Sequence, residues 1–466
     1  MSDDNSEHSP QHTRIIIGLA LCIAITLAVI RWLSAGFVLG TDTFDHPYIE
    51  FVAALIIAGV FWLSLVTCFR RNGPPGKTVF AILFGIGLFG RVIFFSSTPI
   101  YEDDWNRYLW DGMVTAEGYN PYEYPPDVFL RVSPQAPQEI RDLQALSAGP
   151  GKGITTRINN PWLTTIYPPV AMAVFTLSAK IAPVNLDGLR LLYLVIEGLG
   201  LFLLIKALQA FDRHPFWSLL YWLNPLIIYS VYNVAHMDII MFPFLMASLI
   251  VIKTRPFWSA IFIGLAGAVK FWPLLLAPVL LRHYRSRPFI FVSAGALSGL
   301  VCLVFVLPML LSLNENSGLI AYSNSWVRSS FIYPYLQSLL NVFGDQAGRI
   351  VVASFLTVLS FYLALKPRID VENLPVVLMC LTLCLYLISP TGYPWYLLWV
   401  MPFFAFLPLY GLGLLTLTVA LYYVRYALAE REIYEVYTNI LVPIQFGIPI
   451  LVLGLESLYH RRKLQV

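Results

Sequence analysis

The chain has 466 residues, of which 58% are hydrophobic and 12% charged, and its mean hydropathy is +0.69. Soluble globular proteins carry about 25% charged residues, so the composition excludes a soluble domain and indicates an integral membrane protein. The formal net charge of +3 is too small to favour binding to nucleic acid. All five cysteines lie in apolar segments, so no disulfide framework is predicted.

Three apolar stretches of membrane-spanning length open the chain, at about residues 15–39, 51–69 and 78–95. The loop at 41–50 carries acidic residues and no Lys or Arg, whereas the loop at 70–77 reads RRNGPPGK. Because loops rich in Lys and Arg stay in the cytoplasm, we expect a cytoplasmic N-terminus and a third span that leads to the outer side. We assign residues 1–96 to a polar tail, disordered as far as residue 13, and three transmembrane helices.

Residues 101–127 form the densest run of charged and aromatic side chains in the sequence. A helix that begins near Glu102 would place Asp104, Arg107 and Asp111 on one face and mostly aromatic and apolar side chains on the other. We expect this helix to lie in the membrane interface, with its rings towards lipid and its carboxylates towards water. The run is the first candidate for a functional site.

The apolar run at 166–182 decides the topology of everything that follows. If this run crossed the membrane, the basic residues of the next two loops would lie outside; if it lies at the interface, they fall inside, as the charge rule requires. The run has only 17 residues, begins near a Pro-Pro pair and carries Lys180. We therefore expect an interfacial helix, and we assign residues 97–188 to an external catalytic loop with interfacial helices.

Residues 189–466 are expected to form a transmembrane helical region. Two of its apolar segments, 257–269 and 272–281, are too short to span a ~30 Å hydrocarbon core and are expected to form a broken pair that meets at Lys270. The resulting fold class is all-α: a polytopic transmembrane helical protein with about 14 crossings and both termini in the cytoplasm.

Many polar and aromatic side chains converge on the predicted outer side, although polar groups at membrane depth cost about 2.5–3.5 kcal/mol each. The candidates are Glu102, Asp103, Asp104, Arg107, Asp111, Tyr167, Asn233, His236, Asp238, Lys270, Arg328, Tyr393, Trp395 and Tyr396. A charge ladder on a helix surface remains an alternative for the acids, and an aromatic interfacial belt for the last three rings. His236 and Asp238 are too few for a metal site, and no metal is expected. Glu197 lies mid-span, and the sequence offers no evident partner for it.

The first loop resembles that of membrane mannosyltransferases of the GT-C superfamily. The pattern acid-Asp-x-x-Arg-Tyr-x-Trp-Asp-Gly, followed by Gly-x-Asn-Pro-Tyr, stands here as EDDWNRYLWDG (102–112) and GYNPY (118–122). Further matches follow in chain order: IYPP (166–169), NP (224–225), HMD (236–238), VKFWP (269–273) and YPWYLLWVMP (393–402). The resemblance covers most of residues 97–402. One departure is AHMD at 235–238, where such enzymes often have Gly-His-Asn-Asp.

This resemblance implies an inverting glycosyltransferase of GT-C-like fold. It would move a sugar, in this family mannose, from a polyprenyl-phosphate donor to an acceptor hydroxyl at the extracytoplasmic face of the cell (inner or plasma) membrane. A carboxylate would act as general base, with Asp104 the first candidate and Asp103 the second. Arg107 is expected to keep the pKa of Asp104 low, and Asp111 to fix Arg107. Lys270 or Arg328 would stabilise the leaving phosphate.

The remaining candidates are expected to bind substrate: Tyr167, His236, Asp238, Tyr393 and Trp395. No cofactor is expected, because the lipid-phosphate sugar is itself the donor substrate. The expected partners are this donor, the lipid bilayer, and an acceptor that can be a cell-envelope glycan, a glycolipid or a protein. Two other functions stay open: a polysaccharide polymerase or ligase, and a transporter of lipid-linked sugars. The first would favour an Arg- or His-rich external loop and the second repeated halves.

Overall fold

The computed structural model describes residues 10–38, 45–130, 132–367 and 370–463. All regular secondary structure in these ranges is helical, which confirms the all-α class. The first helix already begins at Pro10, so the expected disorder is wrong for residues 10–13. Residues 1–9 and residues 39–44, which belong to the loop between the first two predicted spans, lie outside the described residues, and so do the predictions made for them.

Six helices form the N-terminal region and the long first loop. They are Pro10–Leu33 (α1), Tyr48–Asn72 (α2), Lys77–Val92 (α3), Asp104–Ala116 (α4), Gln138–Ala148 (α5) and Pro169–Ile181 (α6). α1, α2 and α3 are apolar almost throughout, as expected for helices that contact lipid, whereas α4 and α5 each carry polar side chains along one face.

Helices α7 to α22 complete the chain. The first nine are Leu186–Ala210 (α7), Ser218–Trp222 (α8), Pro225–Ile228 (α9), Phe242–Val251 (α10), Pro256–Gly267 (α11), Ala277–Leu281 (α12), Pro288–Leu311 (α13), Gly318–Ser325 (α14) and Tyr333–Leu340 (α15). The last seven are Ala347–Leu365 (α16), Leu374–Ile388 (α17), Met401–Phe404 (α18), Tyr410–Thr418 (α19), Val424–Glu430 (α20), Tyr434–Val436 (α21) and Val442–Lys463 (α22).

Among the described residues, eight helical segments are long and apolar enough to cross a membrane, and the number is nine if a bent pair counts as one span. They are Pro10–Gly36, Tyr48–Asn72, Leu186–Ala210, Pro288–Leu311, Ala347–Leu365, Val371–Ile388, Tyr410–Glu430 and Tyr434–Tyr459. The chain is therefore a helical membrane protein. The predicted count of about 14 crossings is not confirmed, because the other apolar helices are short or broken.

Three of the shorter segments are broken at positions that carry polar or aromatic side chains. The helical pair Pro225–Asn233 and Met237–Val251 is bent by 108° between its halves. α11 ends at Gly267 and a 3-10 helix begins at Trp272, which confirms the predicted break around Lys270. Residues 389–393 are likewise non-helical between α17 and a 3-10 helix that begins at Pro394. Irregular backbone of this kind is tolerated at membrane depth where it lines a cavity.

Contacts between loops group the basic connections of the chain at one end of the helices. Arg70, after α2, pairs with Glu456 near the C-terminus at 2.7 Å. Lys253 donates to the carbonyl of Ala210 at 2.9 Å. The loop at 282–285 likewise donates to the backbone at 366–367. We call this group the basic end, and it contains the described loops that the charge rule assigns to the cytoplasm.

The opposite end gathers the loops that the charge rule assigns to the outer side. The backbone N–H of Ser96 donates to Asp187 at 2.8 Å, and the N–H of Ile100 donates to Asn233 at 2.9 Å. The first loop also meets the loop after α13, where the backbone of 164 bonds to that of 316. We call this the site end. The three helix breaks, at 234–236, 268–271 and 389–393, lie here.

Helix α4 forms where the sequence predicts it, but its surroundings differ from the prediction. Its residues from Asn106 to Val114 are all buried, and they pack on α6 instead of facing lipid. The ring of Tyr108 stacks on Phe175 with a centroid distance of 4.6 Å. At Gly112 the backbone of α6 approaches so closely that a Cβ would lie 2.4 Å from the carbonyl oxygen of Phe175. The expected contact between α4 and lipid is therefore wrong, because α6 covers its aromatic face.

Helix α6 has 13 residues and reaches about 20 Å at 1.5 Å per residue. That length is less than the ~30 Å hydrocarbon core, so α6 alone is too short to span it. α6 also contacts α4 and α7, and these contacts hold the first loop against the helices of the membrane region.

The mid-span Glu197 has a partner that the sequence did not reveal. Arg91 of α3 donates to both of its carboxylate oxygens, at 2.6 and 2.7 Å, and both side chains are fully buried. The hydroxyls of Tyr221 and Tyr232 also donate to Glu197. A buried ion pair with further hydrogen bonds offsets its own desolvation, so this pair joins α3, α7 and the segment around α8 and α9.

Candidate active site

A cavity of about 430 Å³ lies at the site end. Its walls come from the start of α4, the loop at 159–168, the three helix breaks, α14 with the loop that follows it, and the region around α20. Eleven of the fourteen candidates predicted from the sequence line it: Glu102, Asp103, Asp104, Arg107, Tyr167, Asp238, Lys270, Arg328, Tyr393, Trp395 and Tyr396. The fold therefore brings together residues that are up to 294 positions apart in the chain, from Glu102 to Tyr396.

The two candidate bases share one hydrogen-bond donor. Nδ2 of Asn159 lies 2.7 Å from Oδ1 of Asp103 and 2.9 Å from Oδ1 of Asp104. Asp103 is the residue just before α4 and Asp104 is the first residue of that helix. The sequence-based helix turned Asp103 about 100° away from Asp104. In the structure both carboxylates line the cavity. Because Oδ1 of Asp103 and Oδ1 of Asp104 accept from the same nitrogen, they lie no farther apart than the sum of the two hydrogen-bond lengths.

Burial raises the pKa of both acids, and a neighbouring negative charge adds to the rise at Asp103. Burial raises the pKa of Asp103 to about 6, and the neighbouring charge of Asp104 adds to the rise. Burial also raises the pKa of Asp104 above its ordinary value, although hydrogen bonds from Asn159 and Tyr167 and the charge of Lys270 oppose that rise. The expectation that Arg107 holds the pKa of Asp104 low is therefore wrong. A carboxylate with a raised pKa is a stronger proton acceptor.

Arg107 holds the loop opposite α4. Its guanidinium donates to the backbone carbonyls of Leu163 at 3.0 Å, Asn160 at 3.0 Å and Asn159 at 3.2 Å. These bonds position the donor Asn159 next to the two acids. Sequence reasoning placed Arg107 among the acids because helical spacing shows only neighbours on the same helix, and the 159–163 loop is more than 50 residues away.

Asp111 is 2% exposed and lies behind the cavity wall. Thr165 hydrogen-bonds to its carboxylate, and burial raises its pKa to about 6 although the charge of Arg107 opposes this. Its Oδ2 has no hydrogen-bond partner among the described residues. The guanidinium of Arg107 bonds to carbonyls instead, so the expectation that Asp111 fixes Arg107 is not supported by a direct contact.

Lys270 and Asp238 form an ion pair between two of the helix breaks. Lys270 Nζ lies 2.8 Å from Oδ1 of Asp238, which also accepts the indole N–H of Trp399 at 2.6 Å. The side chain of Asp238 is 2% exposed, whereas that of Lys270 is 27% exposed. The ammonium also lies 4.1 Å from the ring centroid of Tyr396. Asp238 and the rings therefore fix Lys270 with its charged group towards the cavity.

A stack of aromatic rings forms the adjoining wall. The imidazole of His236 stacks on Trp395 with a centroid distance of 3.8 Å, and Tyr393 stacks on the same indole at 4.3 Å. His236 is 1% exposed and supports the stack from behind, while Trp395 and Tyr393 line the cavity. Such stacked rings present flat apolar surface of the kind that sugar rings contact. Tyr167, on the opposite wall, packs edge-on against Tyr108 at 4.8 Å.

Two further cations face the cavity in different settings. Arg328 is exposed, and its guanidinium donates to the carbonyl of its own neighbour Val327 at 3.0 Å. Arg425, which was not among the predicted site residues, lies over the rings of Tyr422 and Tyr426, 4.4 and 4.2 Å from their centroids. Its Nε has no hydrogen-bond partner among the described residues.

Glu102 joins Arg425 to the first loop. Arg425 donates to the hydroxyl of Tyr426 at 2.8 Å, and that hydroxyl donates to Glu102 at 3.0 Å. Burial raises the pKa of Glu102 to about 8, even though Arg425 opposes this. Glu102 is therefore mostly protonated near pH 7, so its charge does not neutralise Arg425 there. Residues 10–38, 45–130, 132–367 and 370–463 include no group of three or more potential metal ligands.

A family model described as alpha-(1->6)-mannopyranosyltransferase, N-terminal domain, of the MptA/B family matches residues 48–284, just over half of the chain. The chain belongs to this mannosyltransferase family. The family is of the GT-C type, so the resemblance seen in the first loop is confirmed. No curated protein and no solved structure matches the chain.

The residues that line the cavity of this mannosyltransferase come partly from the range that the family model matches and partly from the chain beyond it. Asp103, Asp104 and Lys270 lie inside the match, whereas Arg328 and Arg425 follow it. The aromatic wall at 393–396 also lies beyond the matched residues. The second half of the chain therefore completes a cavity whose acids belong to the family domain.

Sequence reasoning missed Asn159 and Trp399, and it considered Arg425 only as a substitute for Lys270 and Arg328. Asn159 belongs to the polar pair that precedes IYPP, and the position of that pair beside a matched motif was a usable signal. Trp399 lies inside the matched YPWYLLWVMP run. Arg425 sits in an apolar span, where a cation is costly, and its position near the end of that span was the available signal.

Proposed function

We propose that this protein transfers a mannosyl residue from a polyprenyl-phosphate donor to an acceptor hydroxyl, with inversion at the anomeric carbon. The observation that carries the proposal is the cavity at the site end. It joins two carboxylates of raised pKa to cations and aromatic rings within one membrane-associated space. The family supplies the sugar and the reaction class, and the geometry suits the two charges that such a displacement must handle.

The attacking hydroxyl must lose a proton as it bonds to the anomeric carbon. Asp104 is proposed as the acceptor of this proton, and Asp103 is the second candidate. Both line the cavity, and Asn159 orients both. Asp104 also hydrogen-bonds to Tyr167, and the positive charge of Lys270 favours its ionised form.

The bond to the lipid phosphate breaks in the same step, and the phosphate leaves with added negative charge. Arg425 suits this charge best, because it has an open Nε–H and two rings hold its guanidinium in place. Lys270 is proposed to assist, since its charge faces the cavity although Asp238 already neutralises part of it. Arg328 lies at the exposed rim, where water weakens a charge pair.

The family description constrains the substrates under this mechanism. An inverting displacement that yields an α-linked product requires a β-linked mannosyl phospholipid as donor. A (1→6) linkage requires a primary hydroxyl, on carbon 6 of a sugar, as nucleophile. We therefore propose a mannose-containing glycan or glycolipid as acceptor. Trp395 and Tyr393 are proposed to contact the sugar rings, with His236 supporting them and Tyr167 facing them.

The site end is proposed to face the extracytoplasmic side of the cell membrane. The clustering of basic loops at the opposite end supports this, since Lys and Arg are retained in the cytoplasm. Single cysteines at Ser133, in the exposed first loop, and at Gly76, in a basic loop, test it. A membrane-impermeant thiol reagent added to intact cells should label the first and spare the second. The reverse pattern would refute the proposed orientation.

The activity itself is tested with purified protein in detergent or liposomes. The donor is radiolabelled β-mannosyl polyprenyl phosphate, and a short α-mannoside supplies the 6-hydroxyl. Transfer to a product with an α-(1→6) linkage supports the proposal. If a nucleotide sugar is used in place of the lipid donor, or if the label is polymerised from a lipid-linked oligosaccharide, the proposal is refuted. The Asp103→Asn, Asp104→Asn double variant should show no transfer.

A further inference from the structure

Six residues, Ser96–Tyr101, run from the turn that follows α3 towards the acid pair, and we call them the strap. Two strap residues other than glycine have positive φ, Ser96 at 57° and Tyr101 at 62°. Around Tyr101 the chain makes a three-residue turn, closed by a bond of 2.9 Å from the N–H of Glu102 to the carbonyl of Ile100. Turns of this kind with positive φ are rare and strained, and such strain persists only where surrounding contacts hold it.

One side chain supplies most of the contacts that hold the strap. Asn233 is fully buried. Its Oδ1 accepts the N–H of Ile100 at 2.9 Å, and its Nδ2 donates to Ser97 Oγ at 3.1 Å and to the carbonyl of Thr98 at 3.0 Å. The amide therefore uses its acceptor and both donor hydrogens on three successive parts of the strap, so no other common side chain of similar size reproduces the pattern.

Neighbouring groups reinforce the same attachment. The hydroxyl of Tyr229, one turn earlier in the same segment, donates to the carbonyl of Ile100 at 3.1 Å. Arg190 of α7 donates to the carbonyl of Asn233 at 2.7 Å and to the carbonyl of Ser97 at 3.0 Å. Both backbone groups of Ile100 are thus bonded to the segment that also carries Asp238 five residues after Asn233.

We propose that Asn233 is a positioning residue for the mannosyl transfer, and that it sets the place of the acid pair relative to Lys270. The strap ends two residues before Asp103, and Asn233 directly precedes the break at 234–236, two residues after which lies Asp238, the partner of Lys270. Asn233 thus ties the wall that accepts the proton to the wall that faces the leaving group. Without it, the strained strap relaxes and the carboxylates leave their position. This inference rests on the proposed function.

The test compares Asn233→Ala with Asn224→Ala in the full-length protein. Asn224 is a matched control, since it is equally buried in the same segment, and its side chain bonds to Leu226, Ile227 and Thr416 and not to the strap. In steady-state transfer assays Asn233→Ala should lower kcat about 100-fold, the effect of a displacement of about 1 Å in a reacting group. Its KM for the mannosyl phospholipid should stay within about threefold. Asn224→Ala should lower thermal stability and leave kcat within about threefold of normal.

A second variant and a second measurement test the role of Asn233 even if Asn233→Ala folds poorly. Tyr229→Phe removes a single hydroxyl from the strap contacts and should lower kcat by about 2- to 12-fold, the range for one hydrogen bond. Hydrogen exchange followed by mass spectrometry should show faster exchange of the 96–104 peptide in Asn233→Ala and no change there in Asn224→Ala. Hydrogen exchange needs no transfer activity, so it still tests the role of Asn233 if the proposed function is wrong. Unchanged exchange of that peptide, or unchanged kcat in folded Asn233→Ala protein, would overturn the inference.

Discussion

Replacing Asp104 with Asn tests the proposed base most directly, because it removes the proton acceptor and preserves the shape. The side-chain carbonyl of the new Asn can take the place of Oδ1 and keep the hydrogen bond from Asn159, now 2.9 Å long. The ion pair of Lys270 with Asp238 lies on other elements and is retained. Loss of a general base lowers the rate about 10²- to 10⁴-fold, so kcat should fall by that factor while the KM for the donor stays within about threefold.

Asp103→Asn should have a smaller effect if Asp104 is the base. It removes a neighbouring negative charge and weakens one hydrogen bond at 2.7 Å from Asn159. A hydrogen bond to a charged group contributes about 1.5–3 kcal/mol, but only the part that differs in the transition state affects kcat. We expect a loss of about tenfold for Asp103→Asn, at least an order of magnitude less than for Asp104→Asn.

The pH dependence of the transfer rate tests the role of the same acids independently. A base must be unprotonated to act, so the rate should fall as the pH decreases through its pKa. Burial raises the pKa of the proposed base Asp104, so the acidic limb should lie above the ordinary value of about 4. The pKa of Asp103 is about 6. In Asp104→Asn protein, any residual limb due to Asp103 should move to lower pH, because the charge of Asp104 no longer raises that pKa.

The assay is single-turnover transfer from labelled mannosyl phospholipid to a saturating α-mannoside, measured from pH 4.5 to 9. Glu117→Gln is the matched control, as an exposed acid directly after the same helix, and it should behave as the unmodified protein. The assignment is wrong if Asp104→Asn turns over at a near-normal rate while Asp103→Asn or Asp238→Asn is inactive. An acidic limb near pH 4 would refute the reasoning from burial.

Three further predictions follow from particular contacts. Asp111→Asn should increase thermal stability by an amount that grows between about pH 4 and pH 6 and is complete above pH 6, because burial raises the pKa of this carboxyl to about 6 in the folded protein while it stays near 4 in the unfolded chain. Ionisation therefore destabilises the fold, by up to about 3 kcal/mol. Lower stability of the variant at pH 8 would contradict this. Arg425→Gln should lower kcat/KM for the donor by about 10- to 150-fold and leave the melting temperature unchanged. Lys270→Gln should also lower the melting temperature, because it leaves Asp238 buried and unpaired. Equal effects of the two variants on donor use and on stability would contradict the assignment. Glu197→Gln breaks a fully buried ion pair and should lower the free energy of unfolding by about 3–5 kcal/mol, measured by thermal denaturation. Glu456→Gln breaks a partly exposed pair and should lower it by about 1 kcal/mol or less. Similar losses of stability in the two variants would contradict the argument from burial.

Local sequence patterns predicted the elements of the site well. The amphipathic spacing in residues 102–112 predicted the helix that begins at Asp104, and short apolar runs predicted the break around Lys270. Both features depend on residues within one or two helical turns of each other, and periodicity reports those distances. The family assignment drew on the same local motifs, which is why residues 102–112 were enough to suggest it.

Contacts across the chain could not be predicted in this way. Arg107 bonds to carbonyls of the 159–163 loop, and backbone carbonyls leave no signal in a sequence. Glu197 meets Arg91 across 106 positions, and several cations were equally available to it in the sequence. The surroundings of α4 were misread for a related reason. An apolar helix face is compatible with lipid and with protein, and only the fold shows that α6 covers it.

The second half of the chain explains why the acids can act where they lie. The first half alone lacks Arg425, whose charge acts on the pKa of both Glu102 and Asp103 and which comes from a span beyond the family match. Arg425, together with the aromatic wall at 393–396, closes the cavity around the carboxylates, and that closure produces the burial that raises their pKa. In the proposed mechanism, the same closure excludes water, strengthens the base and places the open Nε–H of Arg425 where a phosphate can bind. A fragment limited to residues 48–284 would keep the acids and lose all three effects.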